Sequence, residues 1–444
     1  MTQQKHRLET KLKETFGAWY APVSPDPTKA LFVPKRDNKK LGYVAGQQST
    51  KIKLVEFSPG SRMHIERVLR LQGWKPTKLT EGGRAQIDEE TIEGIVARYP
   101  AMSGLGEFML IEKRLSQLCG TDNSLIQSVQ EDGRIHGAMN PMGTATSRAT
   151  HFYPNISQVP SAKKPYGAEF RSLFAATSGW ACLGADLQGL ELRALAHYLA
   201  PLDGGAYGRV VLDGDVHWEN VKAMGLASGE RDKHNQLHTI VREDGAKRFI
   251  YAYLYGAGEE KCGTIIYECA LNARRNAGAD GEALYREFFG DNPNPSPTAI
   301  KKVGRKVRGD FLTKIAGFKA LQAKIVGQVQ RKGCVPGLDG RRIPVRSEHS
   351  ALNFLLQSCG AILSKEWVAS SHETAAKRFG IGWAHDAVLW GWIHDEQQWC
   401  VKEGLEKDIG EIIVAASRRA GEKCGFRVPL DSEYAVGPNW GATH

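Results

Sequence analysis

Apolar residues along this chain fall into runs of two kinds, one suited to strands and one to helices. Residues 387–393, AVLWGWI, are apolar with only Gly391 as a break, which predicts a buried strand. A second apolar run, WACLGAD at 180–186, predicts another strand and ends on Asp186. After it, apolar residues recur at 190, 192, 195, 196 and 199, the spacing of a helix with one buried face. ALNFLLQSCGAILSKEWVASS, from Ala351, predicts a further helix, and residues 402–420 an amphipathic one. SRMHIERVLRLQGW predicts a helix opened by Ser61 as N-cap. Residues 200–350 are helical in pattern apart from the loop DNPNPSPT at 291–298. Residues 1–130 alternate short helical patterns with basic loops such as VPKRDNKKLG, and from Gly133 the chain turns rich in Gly, Pro and Thr.

Composition narrows the class. The 444 residues suffice for about two or three domains with their own cores. Apolar and charged contents of 41% and 24% are those of an ordinary soluble protein. A formal charge of +10 favours a polyanionic partner without naming it. The eight cysteines form no C-x-x-C pair, which predicts a reduced, cytoplasmic setting. MTQQKHRLETK is not a signal peptide, and no apolar run reaches the roughly 18 residues of a membrane span.

Candidate chemistry begins with two His-Asp pairs, His385-Asp386 and His394-Asp395, flanking the 387–393 strand. An extended chain sets their aspartates about 30 Å apart, so one metal centre cannot use both. Asp395 has a second carboxylate beside it, Glu396, and a strand-like continuation, so a hairpin would present an acidic tip at a sheet end. A carboxylate ending a buried strand is costly unless paired or bound to a cation. Asp186 therefore reads either as a cap for the helix after it or, with Asp395, as a two-carboxylate seat for Mg²⁺. In REDGAKRFIYAYLYGAG, Lys247, Tyr251 and Tyr255 stand at i, i+4 and i+8, one helix face. That face suits a triphosphate at one end and a base stacked along it, or equally a solvated lysine over core tyrosines.

In order, these segments resemble the polymerase region of the family A (DNA polymerase I-like) DNA polymerases, and most closely the replicative polymerases of short-tailed bacteriophages. Motif A is matched by Asp186 and Glu191, motif B by Lys247 to Gly256, and motif C by His394, Asp395 and Glu396. RIHGAMNPMGTATSRATHFYPNISQVP, DGDVHWEN, GLDGRRIPVRSEHSALNFLLQSCGA and the closing GPNW look like the phage branch. The resemblance implies an α+β right-hand polymerase fold, with an antiparallel palm sheet and helical thumb and fingers. It places thumb and start of palm in 1–130, palm in 131–198, fingers in 199–352 and palm again in 353–444. It implies template-directed addition of dNTPs to a primer 3′-hydroxyl, with two Mg²⁺ ions held by Asp186, Asp395 and the backbone carbonyl of Leu187, and Glu396 in support. His217, Arg242 and Lys247 are expected on the triphosphate. Glu191 is expected at the sugar 2′ position, held by Tyr251, with Tyr255 near the template base. Arg148, Asn353, Gln357 and His394 are expected on the primer-template minor groove. A non-catalytic primer-template-binding subunit with a retained fold is the alternative, and an RNA polymerase on a related palm a weaker one.

The chain departs from the family pattern in three places. Motif B usually carries an Arg four residues before its Lys, where this chain has Glu243; Arg242 lies five before, and Arg248 is another candidate. No 3′–5′ exonuclease domain precedes the polymerase motifs, which predicts a separately encoded exonuclease; IDEET at 87–91 mimics its Asp-x-Glu but reads better as Asp88 capping a helix. Phage relatives carry a long thumb insertion that grips thioredoxin for processivity. The matching region, about 28–56, is short here, so thioredoxin dependence does not follow, and its basic loop is expected against DNA phosphates.

Overall fold

The computed structural model describes every residue except 25, 77, 78, 81, 88–90, 93, 94, 97, 98 and 444. Asp88, Glu89 and Glu90 of the IDEET segment thus lie outside the described residues. The chain forms two compact units, residues 1–136 and 137–444. Among the described residues no helix is long and apolar enough to cross a membrane.

In the first unit, helix α1 (Thr2–Phe16) leads into strand β1 (Ala18–Pro22), which pairs antiparallel with β2 (Ile52–Glu56). Residues 23–51 between them carry two-residue strands, Leu31–Phe32 against Ser49–Thr50. Helix α2 (Arg62–Leu71) starts where expected: the Ser61 hydroxyl accepts from the His64 backbone N–H, meeting one of the donors a helix start leaves open. Ile65, Val68 and Leu69, at i, i+3 and i+4, bury one face of α2 with Leu12, Phe57, Met102 and residues Leu105 and Phe108 of α3 (Leu105–Cys119).

The second unit is built on a four-stranded antiparallel sheet. Its strands are β3 (Trp180–Leu187), β4 (Ala387–Ile393), β5 (Glu396–Lys402) and β6 (Ser432–Gly437), in spatial order β4-β5-β3-β6. The continuous apolar runs predicted for β3 and β4 are strands, as their lack of helical spacing requires. Helix α4 (Leu190–Asp203) follows β3 at once. After it come α5 (Val216–Met224), α6 (Gln236–Ile240), a π-helical turn (Val241–Lys247), α7 (Arg248–Leu254) and α8 (Glu259–Asn276). The 29-residue α9 (Ala351–Phe379) covers the predicted 351 segment and runs past it, and α10 (Glu406–Lys423) begins a few residues later than the predicted 402. Helix α10 lies flush on β6: a Cβ on Gly410 would come within 2.3 Å of the Tyr434 ring. The indole N–H groups of the fully buried Trp367 and Trp399 are met by the Ile413 carbonyl at 2.9 Å and the Gln397 side chain at 3.0 Å. Each aromatic body thus sits in the core with its one polar atom satisfied.

Candidate active site

Sheet register brings the acidic residues together. Asp186, near the end of β3, stands opposite Glu396, the first residue of β5. On its other side it faces Glu433 of β6. Ile393 pairs with Glu396, so the β4–β5 hairpin turns on His394 and Asp395 alone. Such a tight turn needs left-handed backbone, and His394 supplies it with φ of 59°. The turn is braced from α9 by Ser364, whose hydroxyl donates to the His394 carbonyl at 2.5 Å, and by the Trp392 indole at 3.0 Å. The Asp395 carbonyl accepts from the Leu187 backbone N–H at 3.1 Å, tying the acidic tip to the end of β3. The other His-Asp pair is elsewhere: Asp386 is neutralised by Lys402 at 2.7 Å. Asp186 does not cap α4, whose N-cap is Gly189.

The crowding shows in the acidities. Burial, then the charges of Asp395, Glu396 and Glu433, push Asp186 up to about 8. Burial and then Glu191 raise Asp395 to about 6. Two hard oxygen donors so raised lack positive charge, which is what a divalent cation bound through carboxylates brings. The donor set therefore fits such an ion. Among the described residues no group of three or more His, Cys, Asp or Glu side chains is arranged to hold a metal ion.

Glu396 is placed by hydrogen bonds that sequence reasoning missed. Its Oε1 accepts from the Trp440 indole at 2.5 Å and from the Gln398 amide at 2.7 Å. Arg171 lies 3.9 Å away, with its guanidinium 4.3 Å over the Trp440 ring. Glu396 is 5% exposed, so it is a buried, braced carboxylate behind Asp186. Replacing the buried Trp440 with Phe keeps a six-membered ring, removes the donor and leaves a gap where the five-membered half of the indole lay, which adds to the loss. Losing one hydrogen bond to a buried charge should cost about 1.5–3 kcal/mol, read as a lower urea midpoint with unchanged slope.

Beside this pair, Glu191 sits in the first turn of α4. Here the structure corrects an expectation: the hydroxyl on Glu191 comes from Tyr255, at 2.7 Å, not from Tyr251. Tyr255 is the C-cap of α7, one turn beyond Tyr251, and that extra turn carries its hydroxyl to α4. Burial and then Glu191 raise its pKa to about 12, so it remains a donor. Arg148 approaches Glu191 at 3.8 Å. Tyr251 is raised by burial, then by Glu191 and Asp395, and its ring lies 6.1 Å from that of His217.

The expected triphosphate residues lie on α5 and the π-helical turn. Lys247 bonds Glu243 at 3.1 Å, and Arg242 bonds Asp215, the N-cap of α5, at 2.8 and 3.0 Å. Arg248, the other candidate, turns to α8 and pairs with Glu268 at 2.6 Å. His217 is 9% exposed; burial, then Arg242 and Lys247, lower it to about 4, so it is neutral at pH 7. Of the expected minor-groove residues, Gln357 accepts from the Thr146 hydroxyl at 3.3 Å, and Asn353, on the first turn of α9, lines a cleft with Tyr253, Arg308 and His349. Asp215, Arg171 and Trp440 were the residues the sequence reading passed over. Asp215 lies inside the quoted DGDVHWEN block, and Trp440 inside GPNW.

The family model described as DNA polymerase family A matches residues 37–442. The DNA-directed DNA polymerases of Escherichia phage T7 and Enterobacteria phage T3 are each 34% identical, over 100% of this chain and 65% of theirs. This chain thus spans about two thirds of the length of those relatives. The thermostable DNA polymerase I of Thermus aquaticus is 25% identical over 86% of this chain and 42% of its own. Among solved structures, the POL domain of Pol1 from M. smegmatis, in complex with DNA primer-template and dNTP, shares the fold with TM-score 0.67 and 18% identity, over 99% of this chain and 67% of that one. With α+β architecture, an acidic pair set by antiparallel register and a family match over most of its length, the chain belongs to DNA polymerase family A.

Proposed function

We propose that this chain catalyses template-directed DNA synthesis in phage replication, transferring a nucleotidyl group from a dNTP to a primer 3′-hydroxyl. The observation that carries the reading is the meeting of Asp186 and Asp395 at one end of the sheet, with the Leu187 N–H bonded to the Asp395 carbonyl at 3.1 Å. Asp186, Asp395 and the Leu187 carbonyl are the proposed ligands of two Mg²⁺ ions. The chemistry such ions supply when bound is acidification of the 3′-hydroxyl and offset of charge on the departing pyrophosphate. The 3′-oxygen forms a bond to the α-phosphorus, the bond to the bridging oxygen breaks to release pyrophosphate, and the 3′-proton passes to water. The neutral His217 imidazole and the Arg242 and Lys247 cations bind and orient the phosphates.

Arg148, Asn353, Gln357 and His394 are proposed to touch the minor groove near the primer end, where purine N3 and pyrimidine O2 are acceptors in every correct pair. Such contacts test pair geometry without reading sequence. The palm is assigned to 131–198 and 353–444, the fingers to 199–352 and the thumb to 1–130.

Primer extension with dNTPs, NTPs and EDTA tests the activity. Extension with dNTPs that stops in EDTA supports it; a template-binding chain that never extends is a binding subunit, and a preference for NTPs makes it an RNA polymerase. Tyr251 gives a finer test. In the family a tyrosine at this position accompanies acceptance of dideoxynucleotides, so Tyr251→Phe should sharply reduce ddNTP termination on sequencing gels. Equal termination by both chains would remove that role.

A further inference from the structure

The departure in motif B has a structural answer. The extra residue between Arg242 and Lys247 is taken up by the π-helical turn Val241–Lys247. Bonding i→i+5 stacks residues five apart much as an α-helix stacks residues four apart. Gly245 makes the turn fit, because a Cβ there would lie 2.9 Å from Leu226 and 3.1 Å from the Cys269 sulfur. Arg242 and Lys247 are thereby brought to one carboxylate: Glu243 bonds Arg242 through Oε1 and Lys247 through Oε2.

We propose that Glu243 is an internal stand-in for phosphate, spanning Arg242 and Lys247 in the nucleotide-free chain and displaced when a polyphosphate binds. This rests on the reading of His217, Arg242 and Lys247 as the triphosphate site. Three features support displacement over a fixed structural pair. Arg242 keeps a second, two-oxygen partner in Asp215, itself held by Arg231 at 2.9 Å, so the guanidinium stays in place when Glu243 leaves. Glu243 and Lys247 are 41% and 46% exposed in their side chains, so the carboxylate has room to swing into solvent. His217, nearly fully buried beside them, has a buried Nδ1 without a hydrogen-bond partner, a polar atom that an arriving ligand would meet. Displacing Glu243 costs every anion the same free energy, so a highly charged triphosphate still occupies the site at concentrations where phosphate or a monophosphate, bound more weakly from the start, does not.

The test is calorimetric titration of inorganic tripolyphosphate, in EDTA at fixed ionic strength, into the full chain and its Glu243→Gln variant. Removing the half-buried Arg242 pair and the exposed Lys247 pair should tighten binding about fivefold, and should lower the KM for dNTP in the same direction. Glu268→Gln, which removes an equal charge from the Arg248 pair on α8, is the control and should leave affinity unchanged. Unchanged or weaker binding by Glu243→Gln overturns the inference, as does equal tightening by Glu268→Gln, which would mark a general field effect. Tripolyphosphate binding needs no catalysis. A chain that extends no primer yet binds more tightly as Glu243→Gln would remove the polymerase reading and keep this one; an active chain with unaltered affinity does the reverse.

Discussion

Asp186→Asn and Asp395→Asn should each reduce primer extension by on the order of 10³-fold or more, while primer-template affinity in a gel-shift assay stays within about twofold. The size follows from transition-state charge: a catalytic metal is worth several kcal/mol, and every 1.36 kcal/mol is a factor of about ten. Asparagine keeps the shape and removes the charge that would hold the cation. The same substitution predicts a second readout of opposite sign. In the structure Asp186 is raised to about 8 by burial and by three neighbouring carboxylates. Without metal Asp186 is therefore largely protonated at pH 7, and asparagine is a neutral replacement of nearly the same shape, so Asp186→Asn should melt no lower than the native chain in EDTA. Variants that lose activity because they unfold would melt lower, so the two measurements together separate chemistry from stability. Near-native extension by either variant would end the assignment.

Glu191→Ala should raise ribonucleotide incorporation, measured as the ratio of kcat/KM for rNTP over dNTP, by roughly 10- to 100-fold, the range over which a single hydroxyl is sterically sorted. The side chain is held in the first turn of α4 by Tyr255 at 2.7 Å and approached by Arg148 at 3.8 Å, so it forms a fixed wall. The stability cost should be small, because Tyr255 is 44% exposed and water can replace the lost acceptor. Tyr255→Phe frees the wall without removing it and should give a smaller rise in the same ratio. An unchanged ratio for Glu191→Ala would show that another group guards the 2′ position.

Much of the candidate site was legible in the chain because its signals are local. The apolar runs ending at Asp186 and preceding His394 needed only period and length to read as strands. Ser61 needed only its position before an amphipathic helix. The Lys247, Tyr251 and Tyr255 spacing is one helix face in the sequence and continuous helical backbone in the fold. Choosing Asp395 over Asp386 rested on family order; the structure adds a physical ground, since Lys402 already neutralises Asp386.

Other features depend on partners far away in sequence. Strand β6 was not foreseen: SEYAVG is short and half exposed, and what makes it a strand is pairing with β3, some 250 residues earlier. Tyr251 and Tyr255 share one face of a helical wheel, and only the tertiary placement of the end of α7 decides which hydroxyl reaches Glu191. Arg242 looked out of register because an α-helix was assumed; the π-helical turn depends on how closely Leu226 and Cys269 approach Gly245. By itself, then, the sequence determined most of the elements and the family, and named the acidic residues to look for, since periodicity, capping and motif order act over a few residues. The tertiary structure alone decided which side chains touch: strand register and helix packing set those contacts, and they join positions hundreds of residues apart.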